Sequence, residues 1–456
     1  MKSLGLFIAF IFLSSTFAAE DGPDMVVEIF RHGIRTPESG QFDNSWDKLG
    51  YGELTDAGMR QQYVLGVAMK ELYKKLLLPY SPAKIYVQST QENRTIMSAL
   101  SQLYGIYYKE GPELGKDYPH ELAVPPYNSE EVKKVLDTLK DEDAAIPNRY
   151  YPLPVHSLLK KGDTLLQSYL NCPKADEYYF KQKEDETVKK AFADLSQTVE
   201  NLKQLGITVN NFEDLDHLGD AVIANKANQV KLPGGLSPDS QDFKDIVYWA
   251  HWYEIYPSLN MPLQRQLFSG PLLNNILTMF QEKQKKATEL DFVFYAAKES
   301  LLASLLSAFD IMTPECIKAN WEAQKAGKEI PHKECNYPIY ASNLIFEFYN
   351  TQNPYVMFKY NGNIMKICKG KESCTLDEFA AKIKEVTAGY DLAKFQEFCV
   401  IKQEKTEAGK SITGLNSILI GVIIALMIAV TMLYMKNKKA NQVSAPKYQN
   451  FEVSNL

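Results

Sequence analysis

The 456-residue sequence lacks the short residue spacings that metal sites use. None of its six cysteines forms a C-x-x-C pair, and no two of its six histidines lie three to five residues apart. Zinc ligands recur at such spacings, so the sequence does not support a metal centre. The formal net charge is −6 and no basic stripe is present, which argues against a nucleic-acid partner. Internal repeats and low-complexity segments are absent too, which indicates an ordinary globular chain.

Long apolar runs are few, and the two that are present lie near the ends of the chain. The first covers residues 4–13, follows Lys2 and is too short to cross a bilayer. Small residues come next, as they do at a leader-peptide cleavage site. This pattern predicts a secretory signal peptide over residues 1–18.

The second apolar run, residues 415–435, is long enough to span a membrane. A helix that rises ~1.5 Å per residue needs ~20 residues to cross ~30 Å of hydrocarbon. Three lysines follow, beginning with Lys436, and positive residues stay on the cytosolic side. We therefore predict a single-pass type I protein of the lysosome, endosome or plasma membrane. Its luminal or extracellular domain would cover residues 19–405, and its cytosolic tail residues 436–456.

The tail contains a short sequence of the form Y-x-x-Φ, between Tyr448 and Phe451. Sequences of this form are tyrosine sorting signals. The tail is thus predicted to contact a sorting adaptor. A homodimer is a further expectation for the large domain.

All six cysteines lie within residues 19–405, and their number is even. In the oxidising compartment that a signal peptide implies, an even set of cysteines predicts three disulfides.

Strand-like and helix-like segments alternate in the first part of the chain and again after the middle. This alternation predicts an α/β fold with a mostly parallel central sheet flanked by helices. Residues 128–267 have a helical, charge-laced pattern and are predicted to be a helical cap inserted into the α/β core, which then covers residues 19–127 and 268–405. The predicted strands cover residues 25–30, 84–87, 291–297, 339–348 and 355–360, and the predicted helices residues 54–76, 90–103, 271–285, 300–309 and 376–387.

Three of the predicted strands end in polar residues at the point where a helix begins. Ligands of open α/β sheets bind at the carboxyl ends of strands, so these residues are expected to converge on one site. The candidate residues are Arg31, His32 and Arg35 after the first strand, Gln88 after the second, and Lys298 and Glu299 after the third.

The first of these segments, R-H-G-I-R-T-P at residues 31–37, places an imidazole between two guanidinium groups. Arginine forks match phosphate oxygens bidentately. The two cations lower the proton affinity of His32, which keeps it available as a nucleophile. Gly33 would let the backbone come close to an oxyanion.

The R-H-G-x-R-x-P motif resembles that of the histidine acid phosphatases, which have a phosphoglycerate-mutase-like fold. In layout the chain is similar to the lysosomal and prostatic types of this family. The resemblance extends over most of the predicted domain through short motifs, which are G-E-L-T at 52–55, S-T at 89–90, R-T at 94–95, M-S-A at 97–99, P-V-H at 154–156, N-C-P at 171–173 and Y-A-S at 340–342.

The resemblance implies that His32 is the phosphate-accepting nucleophile and that Arg31 and Arg35 hold the phosphate. It implies a small phosphorylated substrate, and neither a cofactor nor a metal. It also implies specific disulfides, which are Cys172–Cys399 and Cys368–Cys374, with Cys316 and Cys335 left to pair with each other.

The sequence departs from the family pattern at three candidate positions. Gln88 stands where the family has an arginine, and Lys298 and Glu299 stand where it has a His-Asp pair. Gln88 remains a donor without charge, Lys298 remains a cation, and Glu299 remains a carboxylic acid that can serve as general acid. We therefore expect a membrane-anchored acid phosphatase of weakened activity. The alternative is a degenerate, phosphatase-like binding or receptor protein of the cell surface or endolysosome.

Overall fold

The computed structural model describes residues 22–43, 45–115, 118–119, 123, 130, 134 and 144–399. The predicted signal peptide, membrane span and tail (residues 1–18, 415–435 and 436–456) lie outside the described residues, and so does the Tyr448 signal. Among the described residues, no helix has both the length and the apolar character needed to cross a bilayer.

The strands of the described residues form one sheet of eight strands in the order β3-β2-β4-β1-β5-β6-β7, with β8 paired to β6. The strands are β1 (Met25–Arg31), β2 (Ile85–Ser89), β3 (His156–Ser157), β4 (Phe292–Ala297), β5 (Asn343–Tyr349), β6 (Tyr355–Tyr360), β7 (Asn363–Ile364) and β8 (Cys374–Thr375).

The sheet is mixed, so the prediction of a mostly parallel sheet is wrong for half of it. Strands β3, β2, β4 and β1 are parallel neighbours. Strand β5 runs antiparallel to β1, and the strands beyond it continue the antiparallel pattern. The parallel half is connected through helices, whereas β5 and β6 are joined by a short hairpin, which forces antiparallel pairing.

Twelve α-helices of the described residues surround this sheet. They are α1 (Asp56–Leu77), α2 (Asn93–Tyr107), α3 (Pro173–Lys183), α4 (Glu186–Ala193), α5 (Ser196–Gln204), α6 (Phe212–Ala227), α7 (Gln241–Leu259), α8 (Pro262–Gln284), α9 (Glu299–Ala308), α10 (Pro314–Lys325), α11 (Leu376–Thr387) and α12 (Leu392–Cys399).

Strand β1 is buried on both faces, because helices cover the sheet on each side. Val26 and Phe30 pack with apolar residues of α1 and α2. The alternate residues Val27 and Ile29 belong to the larger core, which includes α7, α8 and α9. Successive side chains of a strand point to opposite faces, so one apolar strand contributes to two cores. This double burial fixes the position of the residues that follow the strand.

Two features of the predicted insertion differ from the structure. Residues 144–172 contain short 3-10 turns and strand β3, which pairs with β2, rather than a continuous helical pattern. Prolines in this stretch disfavour a helix interior. Helix α8 begins at Pro262 and continues through Pro271, where the sequence predicted a start, and it therefore crosses the predicted boundary at residue 268. Helices α10 and α12 were not predicted.

Three disulfides link the described cysteines, and they join the same pairs that the family resemblance implied. Cys172 at the start of α3 is bonded to Cys399 at the end of α12. The other two, Cys316–Cys335 and Cys368–Cys374, close short loops.

Candidate active site

The site forms where the parallel strands β1 and β4 end side by side. Arg31, the last residue of β1, is in register with Ala297, the last residue of β4. The backbone N–H of His32 donates to the carbonyl of Ala297 over 3.2 Å. The residues that follow the two strands therefore meet, and Glu299, the first residue of α9, lies beside His32.

The His32 side chain is fully buried and its tautomer follows from one contact. Its Nδ1 lies 2.8 Å from the carbonyl oxygen of Gly33, which can only accept, so Nδ1 carries the proton. Burial lowers the pKa of His32 to about 3; Glu299 opposes this shift, and Arg31 and Arg35 reinforce it. Among the described residues, Nε2 has no hydrogen-bond partner. The imidazole is thus neutral in mildly acidic solution, with a free lone pair on Nε2.

Glu299 lies against both the nucleophile candidate and its neighbouring arginine. Its Oε2 is 2.9 Å from Arg31 Nε and 3.7 Å from His32 Nε2. Burial by itself would raise the pKa of Glu299, but the guanidinium groups of Arg31 and Arg35 outweigh burial and hold it well below its usual range. The carboxyl is therefore ionised here, and it can donate a proton only after its arginine partners are engaged elsewhere.

Arg35 is paired with a carboxylate that the sequence analysis missed. Its Nη2 lies 2.7 Å from Asp220, which α6 contributes from the helical layer. The ring of Tyr340 lies beside both guanidinium groups. Its centre is 4.5 Å from Arg31 Cζ and 5.9 Å from Arg35 Cζ. No local sequence signal marks Asp220, an ordinary acid on a helix far along the chain. Tyr340 belongs to the Y-A-S motif, which could have identified it.

The remaining two candidates contact other residues instead of His32. Lys298 Nζ lies 3.3 Å from Glu92 Oε1, beside the ring of Tyr169. Burial lowers the pKa of Lys298, but Tyr169 and Glu92 outweigh it and raise the pKa. Gln88 accepts a hydrogen bond of 3.1 Å from Tyr86, and its Nε2 has no partner among the described residues. The structure thus brings Arg31, His32, Arg35 and Glu299 together, whereas Gln88 contacts Tyr86 and Lys298 contacts Glu92.

Side chains of α1 and α2 hold the loop after β1. Gln62 donates to the carbonyl of Arg31 over 2.8 Å. Gln61 accepts from the Ile34 backbone over 2.9 Å, and Ser98 accepts from the Gly33 backbone over 3.1 Å. Helix α1 starts at the expected place, because Thr55 caps it through the backbone N–H of Gly58. The loop is therefore held by fixed helices on one side.

Gly33 is needed for close packing against Gly58, whereas the sequence analysis predicted that it lets the backbone approach an oxyanion. A Cβ at Gly33 would lie 2.3 Å from the carbonyl oxygen of Gly58, and a Cβ at Gly58 would lie 2.1 Å from the carbonyl oxygen of Ile34. The two glycines let the first turn of α1 pack directly on the loop. The Gly33 N–H is already used by Ser98, so it is not free to bind an oxyanion.

We expect Gly58→Ala to separate α1 from the loop that carries His32. The new methyl group would clash with backbone atoms of Ile34. The free energy of unfolding should therefore decrease by about 3 kcal/mol. Displacement of a catalytic group by about 1 Å can also cost ~10²-fold in rate. Thermal unfolding and kcat/KM measure the two effects. Gly115→Ala is the control, since a Cβ there has nothing within 4 Å. Equal stability of the two variants would contradict the close-packing argument.

With this geometry established, comparison with known proteins identifies the family. A sequence model of the histidine phosphatase superfamily (branch 2) matches residues 24–361. This match covers more than half of the chain, so the protein belongs to the histidine phosphatase superfamily. The family assignment expected from the R-H-G-x-R-x-P motif is therefore confirmed.

Relatives within this family are acid phosphatases. Lysosomal acid phosphatase of Xenopus laevis is 23% identical over 446 residues, which cover 93% of this chain and 90% of the relative. Human prostatic acid phosphatase is 24% identical over 68% of this chain and 75% of its own length. These relatives support classification of the chain as a phosphatase.

Solved structures show the same fold. Phytase of Citrobacter braakii superposes with a TM-score of 0.52 at 13% identity, covering 82% of this chain and 99% of the phytase. This likeness concerns the arrangement of sheet and helices alone. Among the described residues, no group of three or more His, Cys, Asp or Glu side chains is placed to hold a metal ion.

Proposed function

We propose that this protein is an acid phosphatase that hydrolyses small phosphomonoesters through a phosphohistidine at His32. The observation that carries the proposal is the buried, neutral imidazole whose Nε2 is unpartnered among the described residues and adjoins two arginines. A base whose pKa is about 3 keeps its lone pair throughout the mildly acidic range. The acid phosphatase relatives support the same reaction.

In the first step, His32 Nε2 attacks phosphorus, and the bond between phosphorus and the leaving oxygen breaks. Arg31 and Arg35 exchange their carboxylate partners, Glu299 and Asp220, for phosphate oxygens. Charge-assisted, bidentate contacts of this kind are among the strongest hydrogen bonds in proteins. They stabilise the charge that spreads over the phosphoryl oxygens. In the second step, water attacks phosphorus, the N–P bond breaks, and phosphate leaves.

Glu299 is the proton carrier of this cycle. Once phosphate occupies the arginines, the interactions that hold Glu299 ionised are lost and its pKa rises. A substrate that arrives as a monoanion supplies the proton, which passes to Glu299 and then to the leaving oxygen. In the second step, the same carboxylate accepts a proton from the attacking water.

We propose that turnover is weaker than a fully charged phosphate site would give. Gln88 offers a neutral donor, and replacing a charge-assisted contact by a neutral one loses about 1 kcal/mol. Lys298 is bound to Glu92, so part of its charge is already balanced. The intact nucleophile still favours an enzyme over a binding or receptor protein.

We also propose the cellular layout that the sequence indicates. A signal peptide (1–18), a phosphatase domain (19–405) with a helical cap, a membrane span (415–435) and a tail with a sorting-adaptor signal at Tyr448 would place the active site in the lumen or outside the cell. The lysosomal relative, which aligns with 93% of the chain, supports a secretory address.

The proposed reaction is tested by phosphate release from an aryl phosphate. The purified full-length protein should release phosphate between pH 4 and pH 7 in the presence of a chelator. Rapid quenching into base should trap a phosphoenzyme that is stable to alkali and labile to acid, with the phosphate on His32. A protein that needs a metal, or whose phosphate maps to another residue, would refute this mechanism.

A further inference from the structure

A cavity of about 340 Å³ opens next to Glu299, between α9 and the helical layer. This volume is in the range of small-molecule pockets. Its wall includes four carboxylate side chains, which are Glu213, Asp216, Glu254 and Glu299. Among the described lining residues, Lys183 is the one lysine or arginine. Acidic side chains therefore outnumber basic ones in the wall, and Lys183 lies 3.8 Å from one of the acids, Glu213.

The pKa values of two of these acids show that their charge is poorly balanced. Burial, together with the carboxylates of Asp220 and Glu38, raises the pKa of Asp216 to about 7, although Lys183 opposes the shift. Two nearby acids, Asp216 and Glu299, also raise the pKa of Glu254, an exposed residue that accepts a hydrogen bond from the Tyr337 hydroxyl. A bound cation would favour the ionised forms of both and relieve their mutual repulsion.

Aromatic rings form a second part of the wall. Four tyrosines line the cavity, namely Tyr169, Tyr179, Tyr253 and Tyr337. Lys183 Nζ lies 5.2 Å from the ring centre of Tyr179 and 5.5 Å from that of Tyr253, so these rings already accept a cation. Tyrosine faces attract ammonium groups with ~0.5–2 kcal/mol.

The cavity adjoins the nucleophile directly. His32 is fully buried, and its Nε2, unpartnered among the described residues, faces Glu299 Oε2 across 3.7 Å. Glu299 lines the cavity on its other side. A phosphomonoester whose phosphorus lies at Nε2 would extend its leaving group past Glu299 into the cavity.

We propose that this site selects phosphomonoesters whose leaving alcohol carries an ammonium group, and that it disfavours esters with several phosphates. This inference rests on the proposed phosphatase function. The acids and tyrosine rings would surround the ammonium, while a second phosphate would meet the carboxylates instead.

The test compares phosphocholine with its neutral isostere, in which a carbon atom replaces the quaternary nitrogen. The two esters have the same shape, so a ratio of kcat/KM isolates the charge. We expect the purified full-length protein to favour phosphocholine about tenfold or more at pH 7.5, where Asp216, with a pKa of about 7, is mainly ionised. Asp216→Asn should reduce this ratio severalfold. Glu200→Gln, an acid outside the cavity wall, should leave the ratio unchanged.

Each outcome decides the question. Equal kcat/KM for the two esters would overturn the ammonium inference while the phosphatase function stands. If neither ester is hydrolysed while an aryl phosphate is, the ammonium inference fails and the phosphatase function stands. If no ester is hydrolysed, the phosphatase function fails, and calorimetric binding of both compounds to the same protein tests the cavity by itself. Tighter binding of phosphocholine that is reduced in Asp216→Asn would support the inference, and equal binding would reject it.

Discussion

Replacing His32 with alanine is expected to reduce phosphate release by a factor on the order of 10³ to 10⁶, the range seen when a nucleophile is removed. Among the described residues, the other groups next to the substrate phosphorus would be Arg31, Arg35 and Glu299. Guanidinium groups do not attack phosphorus, and with substrate bound the Glu299 carboxyl carries the proton for the leaving oxygen. Steady-state release from an aryl phosphate measures the loss, and the alkali-stable phosphoenzyme should vanish with it.

A buried histidine can also be needed for folding, so this variant requires two controls. His332→Ala removes an exposed histidine outside the site and should keep full activity. Inorganic phosphate should still raise the melting temperature of His32→Ala, because Arg31 and Arg35 remain to bind it. A well-folded His32→Ala protein that retains turnover would exclude His32 as the nucleophile.

Replacing Glu299 with glutamine is expected to slow hydrolysis of alkyl phosphates by ~10² to 10⁴, the usual contribution of a general acid. The loss should be smaller for p-nitrophenyl phosphate, whose leaving group departs without a proton. Binding of inorganic phosphate should become tighter, since the amide no longer competes for Arg31. Rates with both substrates and a phosphate inhibition constant measure the three effects.

The pH dependence provides a further readout of the same residue. Because Glu299 is ionised in the free protein, the natural enzyme should lose kcat/KM as pH rises through about 6, where phosphomonoesters become dianions. The dianion brings no proton and is repelled by the carboxylate. Glu299→Gln should show a flatter decline. Glu315→Gln, which also removes an acid from the first turn of a helix, is the matched control. An equal loss for both types of substrate would leave Glu299 a positioning residue only.

Much of the site could be predicted from the sequence because its central residues are adjacent along the chain. Arg31, His32 and Arg35 follow one apolar strand, and such strands end at the ligand-binding edge of a sheet. Glu299 was expected there too, since it follows another apolar strand. The Thr55 cap, which starts α1 at the expected residue, is likewise a local signal.

The partners of these residues could not be predicted, because side-chain direction depends on packing. Lys298 and Glu299 are consecutive, yet one contacts Glu92 and the other Arg31 and His32. Glu299 begins α9 whereas Lys298 is its cap residue, so the two side chains leave the backbone in different directions. From their positions in the sequence, both side chains were predicted to lie in one pocket.

Local patterns and one contiguous motif were therefore enough to identify the family, the candidate nucleophile and the strands that carry it. The mixed direction of the sheet, the pairing of Arg35 with Asp220, and the acidic, aromatic cavity beyond Glu299 appear only in the folded structure. Each of these brings together residues far apart in the chain. Their contacts arise from how α6, α7 and α9 pack over the strand ends, and no local periodicity encodes that packing.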